Sequence, residues 1–91
     1  MKTYKLCVVR WIDAFGGGNI GWREINSLRE SQTKEAISVG YMVNKDKYGI
    51  TLVPHVVTGD DGKVTHGDAE IVIPNRWIVS KVELDYEITT D

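Results

Sequence analysis

Apolar and polar side chains alternate along much of this chain, which is the pattern of β-strands that bury one face. The alternation is clearest in residues 35–44 and in residues 77–88. In the second stretch Ile78, Val82 and Leu84 lie on one side, and charged side chains lie on the other. Together the apolar stretches predict five strands: residues 4–12, 35–44, 48–57, 69–73 and 77–88.

The polar stretches between the strands predict their connections. Residues 13–21 contain four glycines in nine positions, which will hold neither a helix nor a strand and predict a long first loop. Residues 45–47 predict a short turn, and residues 58–68, with three glycines and three aspartates, predict a longer polar loop. Pro54 cannot donate a backbone hydrogen bond, so it predicts an edge strand or a bulge within the third strand.

Residues 22–32 are the one stretch with helical potential. Trp22, Ile25 and Leu28 recur at three-residue steps and form a narrow apolar stripe. A helix of one or two turns is marginal by itself and must pack onto the rest of the fold. An irregular loop is the alternative, and the pattern leaves both open.

The end of the chain carries the strongest indication of architecture. Pro74 suits the end of a strand, and residues 75–77 have the length of one 3₁₀ turn before the final strand. A strand, a one-turn 3₁₀ connection and a closing strand is how small five-stranded SH3-like barrels end. We therefore expect an all-β fold, a small SH3-like barrel with a long glycine-rich first loop, in a single domain over residues 1–91.

Composition and charge limit the possible functions. Ninety-one residues with 42% apolar and 26% charged side chains make one ordinary globular domain of marginal stability, and its edge strands favour homo-oligomerisation. The net charge is −2 and the charges are interspersed, which disfavours a general nucleic-acid binder. Cys7 is the single cysteine, so an internal disulfide and a multi-cysteine zinc site are excluded. No signal peptide or membrane-spanning run is visible, and we expect a cytoplasmic protein with no membrane partner.

The first loop and its flanks hold the best candidates for ligand binding. Glycine-rich turns expose backbone N–H groups that attract anions, and aromatic rings beside arginine can stack on a planar base. The lysine and hydroxyl residue of a nucleotide-binding P-loop are missing, so a plain connecting loop and a protein-binding hot spot are the alternatives. Trp77 follows Pro74 at the spacing of a groove-lining aromatic in an SH3 domain, although it could equally plug the open end of the barrel. The candidate ligand-binding residues are Arg10, Trp11, Phe15, Gly17, Gly18, Trp22, Arg23 and Trp77.

Other residues that carry chemistry have plainer interpretations. His66, Asp68 and Glu70 alternate along the chain, but side chains two apart on a strand are about 6.6–7 Å apart, too far to close easily around one ion. No serine lies in a nucleophile-elbow context, and the glutamates are scattered. We therefore expect no catalytic residue, no metal and no cofactor, and a protein that is not an enzyme.

Four segments carry a resemblance to known proteins. They are WID at residues 11–13, SVGYMV at 38–43, ITLVPH at 50–55 and IVIPNRWIVSKVEL at 71–84. In these segments the chain resembles a group of small tailed-bacteriophage proteins, although its glycine-rich first loop is longer than theirs. The resemblance implies a phage accessory protein made in the host bacterial cytoplasm, and it carries over no catalytic residues.

Small phage accessory proteins commonly inhibit a host protein or sequester a nucleotide signal of host immunity. The leading expectation is therefore a non-enzymatic protein that counteracts host defence by binding a host protein or a small nucleotide-like ligand. The alternatives are a structural or assembly component of the virion and a ring-forming, Sm-like regulator that binds nucleic acid. The acidic balance of the chain counts against the last of these.

Overall fold

A computed structural model describes residues 1–14, 22–29 and 33–91, and these residues form one seven-stranded sheet with little helix. The all-β prediction is confirmed. The sheet order is β4-β5-β7-β1-β2-β3-β6. The strands are β1 Lys2–Asp13, β2 Lys34–Lys45, β3 Gly49–Val53, β4 His55–Thr58, β5 Val64–Asp68, β6 Ile71–Pro74 and β7 Ile78–Thr90; the helix is α1 Ile25–Leu28, and a 3₁₀ turn spans Asn75–Trp77.

The alternation of β1 places three successive odd-numbered side chains from its middle part in the core. Cys7, Val9 and Trp11 are buried there. The antiparallel pair of β3 and β6 brings Ile50 opposite Ile73, and both side chains pack into the same core. The buried cluster is Cys7, Val9, Trp11, Ile50, Leu52 and Ile73. The core therefore lies on one face of β1, toward the end of that strand that precedes the first loop.

The expectation of five strands in a barrel is wrong in its count and its closure. The third expected strand is two strands, β3 and β4, which are separated at Pro54, where the chain lacks a backbone N–H group. The expected polar loop at residues 58–68 contains β5, which pairs with β4 to form a hairpin. In the described sheet β4 and β6 are the two edges, so the barrel does not close.

The connection through residues 75–77 is the 3₁₀ turn that the sequence predicts. Asp46 supports it from the β2–β3 turn, because its backbone carbonyl accepts a 2.9 Å hydrogen bond from the Asn75 side chain. The Asp46 carboxylate also accepts hydrogen bonds from the backbone N–H groups of Tyr48 and Gly49, at 2.8 and 3.1 Å. Residues 22–32 are helical only at Ile25–Leu28 among their described positions. That helix is exposed along its length.

The molecule is elongated, because β1, β2 and β7 are each twelve or thirteen residues long. Its radius of gyration is 17.2 Å and its dimensions are 58 × 24 × 21 Å. A compact domain of this length has a radius of gyration of about 12 Å. The long strands therefore extend well beyond the core, and the hairpin of β4 and β5 lies beyond it as well. Within the described residues, no helix is long and apolar enough to cross a membrane.

Candidate functional site

A groove of about 650 Å³ lies between the long strands and the hairpin of β4 and β5. One wall comes from the end of the long strands, where Tyr4 of β1 is opposite Ile88 of β7. Val53 of β3 contributes to the same surface, and Val56 and Val64 line it from the hairpin. The groove lies on the opposite face of the sheet from the core, because Thr51 of β3 lines the groove while its neighbours Ile50 and Leu52 pack into the core.

The hairpin is held over the groove by close packing at one end. A Cβ atom on Gly67 would come within 2.7 Å of a methyl group of Val53, so only a residue without a side chain lets β5 approach β3 this closely. At the other end Val64 pairs with Thr90 in parallel fashion. Beside that pair Lys63 Nζ lies 2.7 Å from Asp91 Oδ1. The hairpin therefore forms one wall of the groove and is attached to the sheet at two places, beside β3 at Gly67 and at the end of β7 at Val64.

The chemical character of the groove is apolar with an acidic rim. Its polar and charged lining residues are Thr51, Thr65, His66, Glu70, Thr90 and Asp91. No lysine or arginine is among the described residues that line it. The Asp91 carboxylate is already paired with Lys63, and the Glu70 carboxylate is the other acid at the rim. This arrangement suits an apolar or aromatic body that carries hydrogen-bond donors, and it does not suit phosphate groups.

A strained residue immediately precedes Glu70. Ala69 has φ +61°, in the left-handed region that residues with a side chain rarely adopt. Its backbone N–H donates a 2.8 Å hydrogen bond to the Asp68 carboxylate, which helps to hold this conformation. Strain of this kind costs roughly 1–3 kcal/mol and tends to occur at functional sites. Here it lies in the link between β5 and β6 that brings Glu70 to the groove.

Among the described residues that the sequence predicts to bind a ligand, Trp11 and Trp77 meet, whereas Arg10 lies on the other face of β1. Trp11 is buried on the core face, where its ring stacks on Trp77 with 6.2 Å between centroids and 8° between planes. The Trp11 indole N–H also donates a 3.0 Å hydrogen bond to Ser38 Oγ. Arg10, the neighbouring residue in β1, lies on the opposite face, and its guanidinium is 3.1 Å from the Glu35 carboxylate. Trp77 is partly exposed beside Trp11, so it packs against the core at the end of the sheet.

The remaining predicted residues belong to the first loop and its end. Trp22 and Arg23 are exposed and precede the short helix. Phe15, Gly17 and Gly18 lie outside the described residues, and their part in binding stays a prediction. His66, Asp68 and Glu70 are not brought together as a metal site. No cluster of three or more His, Cys, Asp or Glu side chains in the described ranges could hold an ion.

A second surface of interest is the side of β2, β1 and β7 that lies opposite the core and continues from the groove toward the first loop. Cross-strand pairing aligns Val39 of β2, Val8 of β1 and Val82 of β7 in one row on this side. The next rows toward the groove bring Tyr41 and Tyr86 within 6.3 Å of each other, measured between ring centroids. The side chains that remain 38–60% exposed here are Ile12, Ile37, Val39, Val82, Leu84 and Tyr86, and we call them the open face.

Cys7 is the one thiol of the chain and has no role at either surface. It is fully buried in the core. Burial raises the pKa of the Cys7 thiol, the nearby Glu83 carboxylate raises it further, and Lys81 lowers it. A thiol held protonated in the core is not a nucleophile.

Comparison with known proteins gives no relative from which a function could be transferred. No protein-family model, no curated protein and no solved structure matches the chain. The sequence does not predict the groove, because its walls come from six strands, β1 to β5 and β7, and no local pattern marks them.

Proposed function

We propose that this chain is a non-enzymatic accessory protein of a bacteriophage, made in the cytoplasm of the infected bacterium, which counteracts host defence by binding a nucleotide-type signal. The groove between the long strands and the hairpin is the observation that supports the proposal most strongly. At about 650 Å³ it lies within the roughly 300–1,000 Å³ typical of small-molecule sites. Its apolar walls with a few polar groups at the rim also match such sites.

The lining favours the nucleoside end of such a signal. Tyr4 and the valine side chains of the groove offer aromatic and aliphatic surface to a planar base. The Glu70 carboxylate can accept hydrogen bonds from ribose hydroxyl groups, which is how acidic residues hold the ribose in dinucleotide-binding folds. Because the described lining contains no lysine or arginine, the phosphates of the signal would extend out of the groove into solvent.

Binding is tested by thermal shift and calorimetry with adenosine, with 2′,3′-dideoxyadenosine, and with cyclic dinucleotides and ADP-ribose-type nucleotides. A ligand present at about 100 times its Kd stabilises the folded chain by about 2.7 kcal/mol, which raises the Tm of a domain of this size by about 10–20 °C. Adenosine should bind more tightly than the dideoxy compound. The Glu70→Gln change should reduce this preference. A panel in which none of these compounds shifts the Tm would overturn the proposal.

Two adjacent valines provide a matched control. Val56 lines the groove, whereas Val57 is the next residue of β4 and its side chain is exposed outside the lining. Val56→Glu should abolish ligand binding, and Val57→Glu should leave it unchanged. The same pair extends the test to cells: the chain with Val57→Glu should restore plating of a phage restricted by a nucleotide-signalling defence, and the chain with Val56→Glu should not. Equal behaviour of the two variants in both assays would exclude the groove as the functional site.

Inhibition of a host protein is a second candidate function, and the open face is the observation that favours it. Half-exposed apolar side chains in contiguous rows on a sheet are typical of a protein contact surface. A photo-reactive amino acid placed at position 39 should then crosslink to a host protein, whereas the same group at position 57 should not. A crosslink to a second copy of the chain, or none, would count against this candidate.

A further inference from the structure

The open face is an apolar patch of the size that often marks a contact surface. Its six side chains are 38–60% exposed, and they come from three neighbouring strands. Apolar side chains of this size and exposure leave on the order of 500–600 Å² accessible to water, the upper part of the range for the largest patch on a monomer. Among the described elements, the β4–β5 hairpin covers this side of the sheet at the groove end only.

The area is sufficient for a pair of copies. Two such faces packed against each other would remove about 1,000–1,200 Å² of apolar surface, which meets the threshold of about 1,000 Å² for a specific interface. Sheets pack face to face at about 10 Å, with side chains of the two inner faces interdigitating. Rows of valine, isoleucine and leucine with one tyrosine are suitable for that kind of packing.

Charge also favours a second copy. The charged pair on this side is Arg10 and Glu35, whose side chains are about half exposed and 3.1 Å apart. In a two-fold interface the same patch meets itself, so a patch that carries one positive and one negative charge can place each group near its opposite. The patch has no net charge that would steer a particular foreign partner toward it.

The small core supplies the third argument. Seven apolar side chains of the described residues are buried, and the molecule is elongated. A chain that buries so little of its apolar surface by itself gains stability from association, and a second copy is present wherever the chain is made. We propose that the chain forms a two-fold dimer in which the open faces of two copies pack against each other. The proposal is independent of the groove, and it excludes the open face as the site that binds a host protein.

The test is the mass of the full chain in solution, measured by light scattering and sedimentation equilibrium. We expect 20.4 kDa, twice the 10.2 kDa of one chain, at about 100 µM chain concentration. The Tm of the wild-type chain should rise with concentration, because association stabilises only the folded state. A mass of one chain at this concentration together with a constant Tm would overturn the proposal.

A pair of double variants locates the interface. Val39→Glu with Val82→Glu places like charges in the centre of the open face, and we expect the dimer to weaken at least 100-fold. Val57→Glu with Val72→Glu makes the same chemical change at two valines that are 60% and 63% exposed on the edge strands, and we expect the dimer to persist. Far-UV circular dichroism establishes that both variants fold. A dimer that survives the first pair, or that only the second pair disrupts, would place the interface elsewhere.

Discussion

Replacement of Trp77 by alanine tests whether this side chain stabilises the core of the free protein or serves only to bind a ligand. The Trp77 ring stacks on Trp11, which is 8% exposed, and Trp77 itself is 42% exposed. Truncation therefore removes the buried contact of Trp77 and uncovers the Trp11 ring beneath it. A role confined to ligand binding would leave the stability of the free protein almost unchanged.

The magnitude follows from the buried part of the ring. With 42% exposed, 58% is removed from water, which for an indole corresponds to roughly 120–150 Å². At about 25 cal/mol per Å², reduced by roughly 10–40% for burial already present in the unfolded chain, this amounts to about 2–3 kcal/mol. The stacked ring geometry adds about 0.5–1.5 kcal/mol. We expect Trp77→Ala to lower the free energy of unfolding by about 2.5–4.5 kcal/mol.

The assay is urea unfolding followed by circular dichroism at one fixed chain concentration. Trp22→Ala is the matched control, because Trp22 is fully exposed and its loss should change stability by less than about 0.5 kcal/mol. The near-ultraviolet circular dichroism of the stacked rings should weaken in Trp77→Ala and persist in Trp22→Ala. If Trp77→Ala costs less than about 0.5 kcal/mol, or if both variants destabilise the chain equally, the packing of Trp77 on Trp11 does not stabilise the core.

Three further predictions concern the hairpin, a turn and the core. Gly67→Ala should destabilise the chain by about 1–3 kcal/mol in urea unfolding, because its methyl group would overlap Val53; Gly59→Ala, whose Cβ has ordinary contacts, should cost less. The backbone N–H groups of Tyr48, with the larger effect, and of Gly49 donate hydrogen bonds that hold the pKa of the Asp46 carboxyl below its ordinary 3.8. The stabilisation of the folded chain by these hydrogen bonds is complete above pH 3.8 and is lost as the pH falls through the lowered pKa. Asp46→Asn should therefore lower the Tm at pH 7, and the difference in Tm from the wild-type chain should disappear in strong acid. A difference that persists in strong acid would contradict the stabilising role of the Asp46 carboxylate. Cys7 should react with a thiol reagent much more slowly in the native chain than in urea, and equal rates would contradict its burial.

The parts of the fold that the sequence predicts are those governed by local alternation. The strand at residues 35–44 extends by one residue at each end in β2, and the 3₁₀ turn falls at residues 75–77 as expected. Both have an unambiguous signal, a period of two in one case and a proline followed by one turn in the other. Such features depend on the nearest neighbours in the chain.

The parts that it does not predict depend on distant residues. β5 contains one large apolar side chain, together with a glycine and an aspartate, so its own composition is typical of a loop. It becomes a strand because β4 offers it a partner and because Gly67 lets it approach Val53. Arg10 and Trp11 are both candidates for the ligand site, and they are neighbours in the predicted first strand. Successive side chains of a strand face opposite sides of the sheet, so β1 separates the two.

A nitrogen-15 NMR titration with adenosine, followed at the backbone amides, tests whether the groove is the ligand site. We expect saturable shifts of the amides of Val56 and Gly67 in the hairpin and of Thr90 at the end of β7, with the amides of Trp11 and Trp77 unmoved. Shifts confined to the Arg10, Trp22 and Trp77 region, or no saturable shift at any residue, would contradict it.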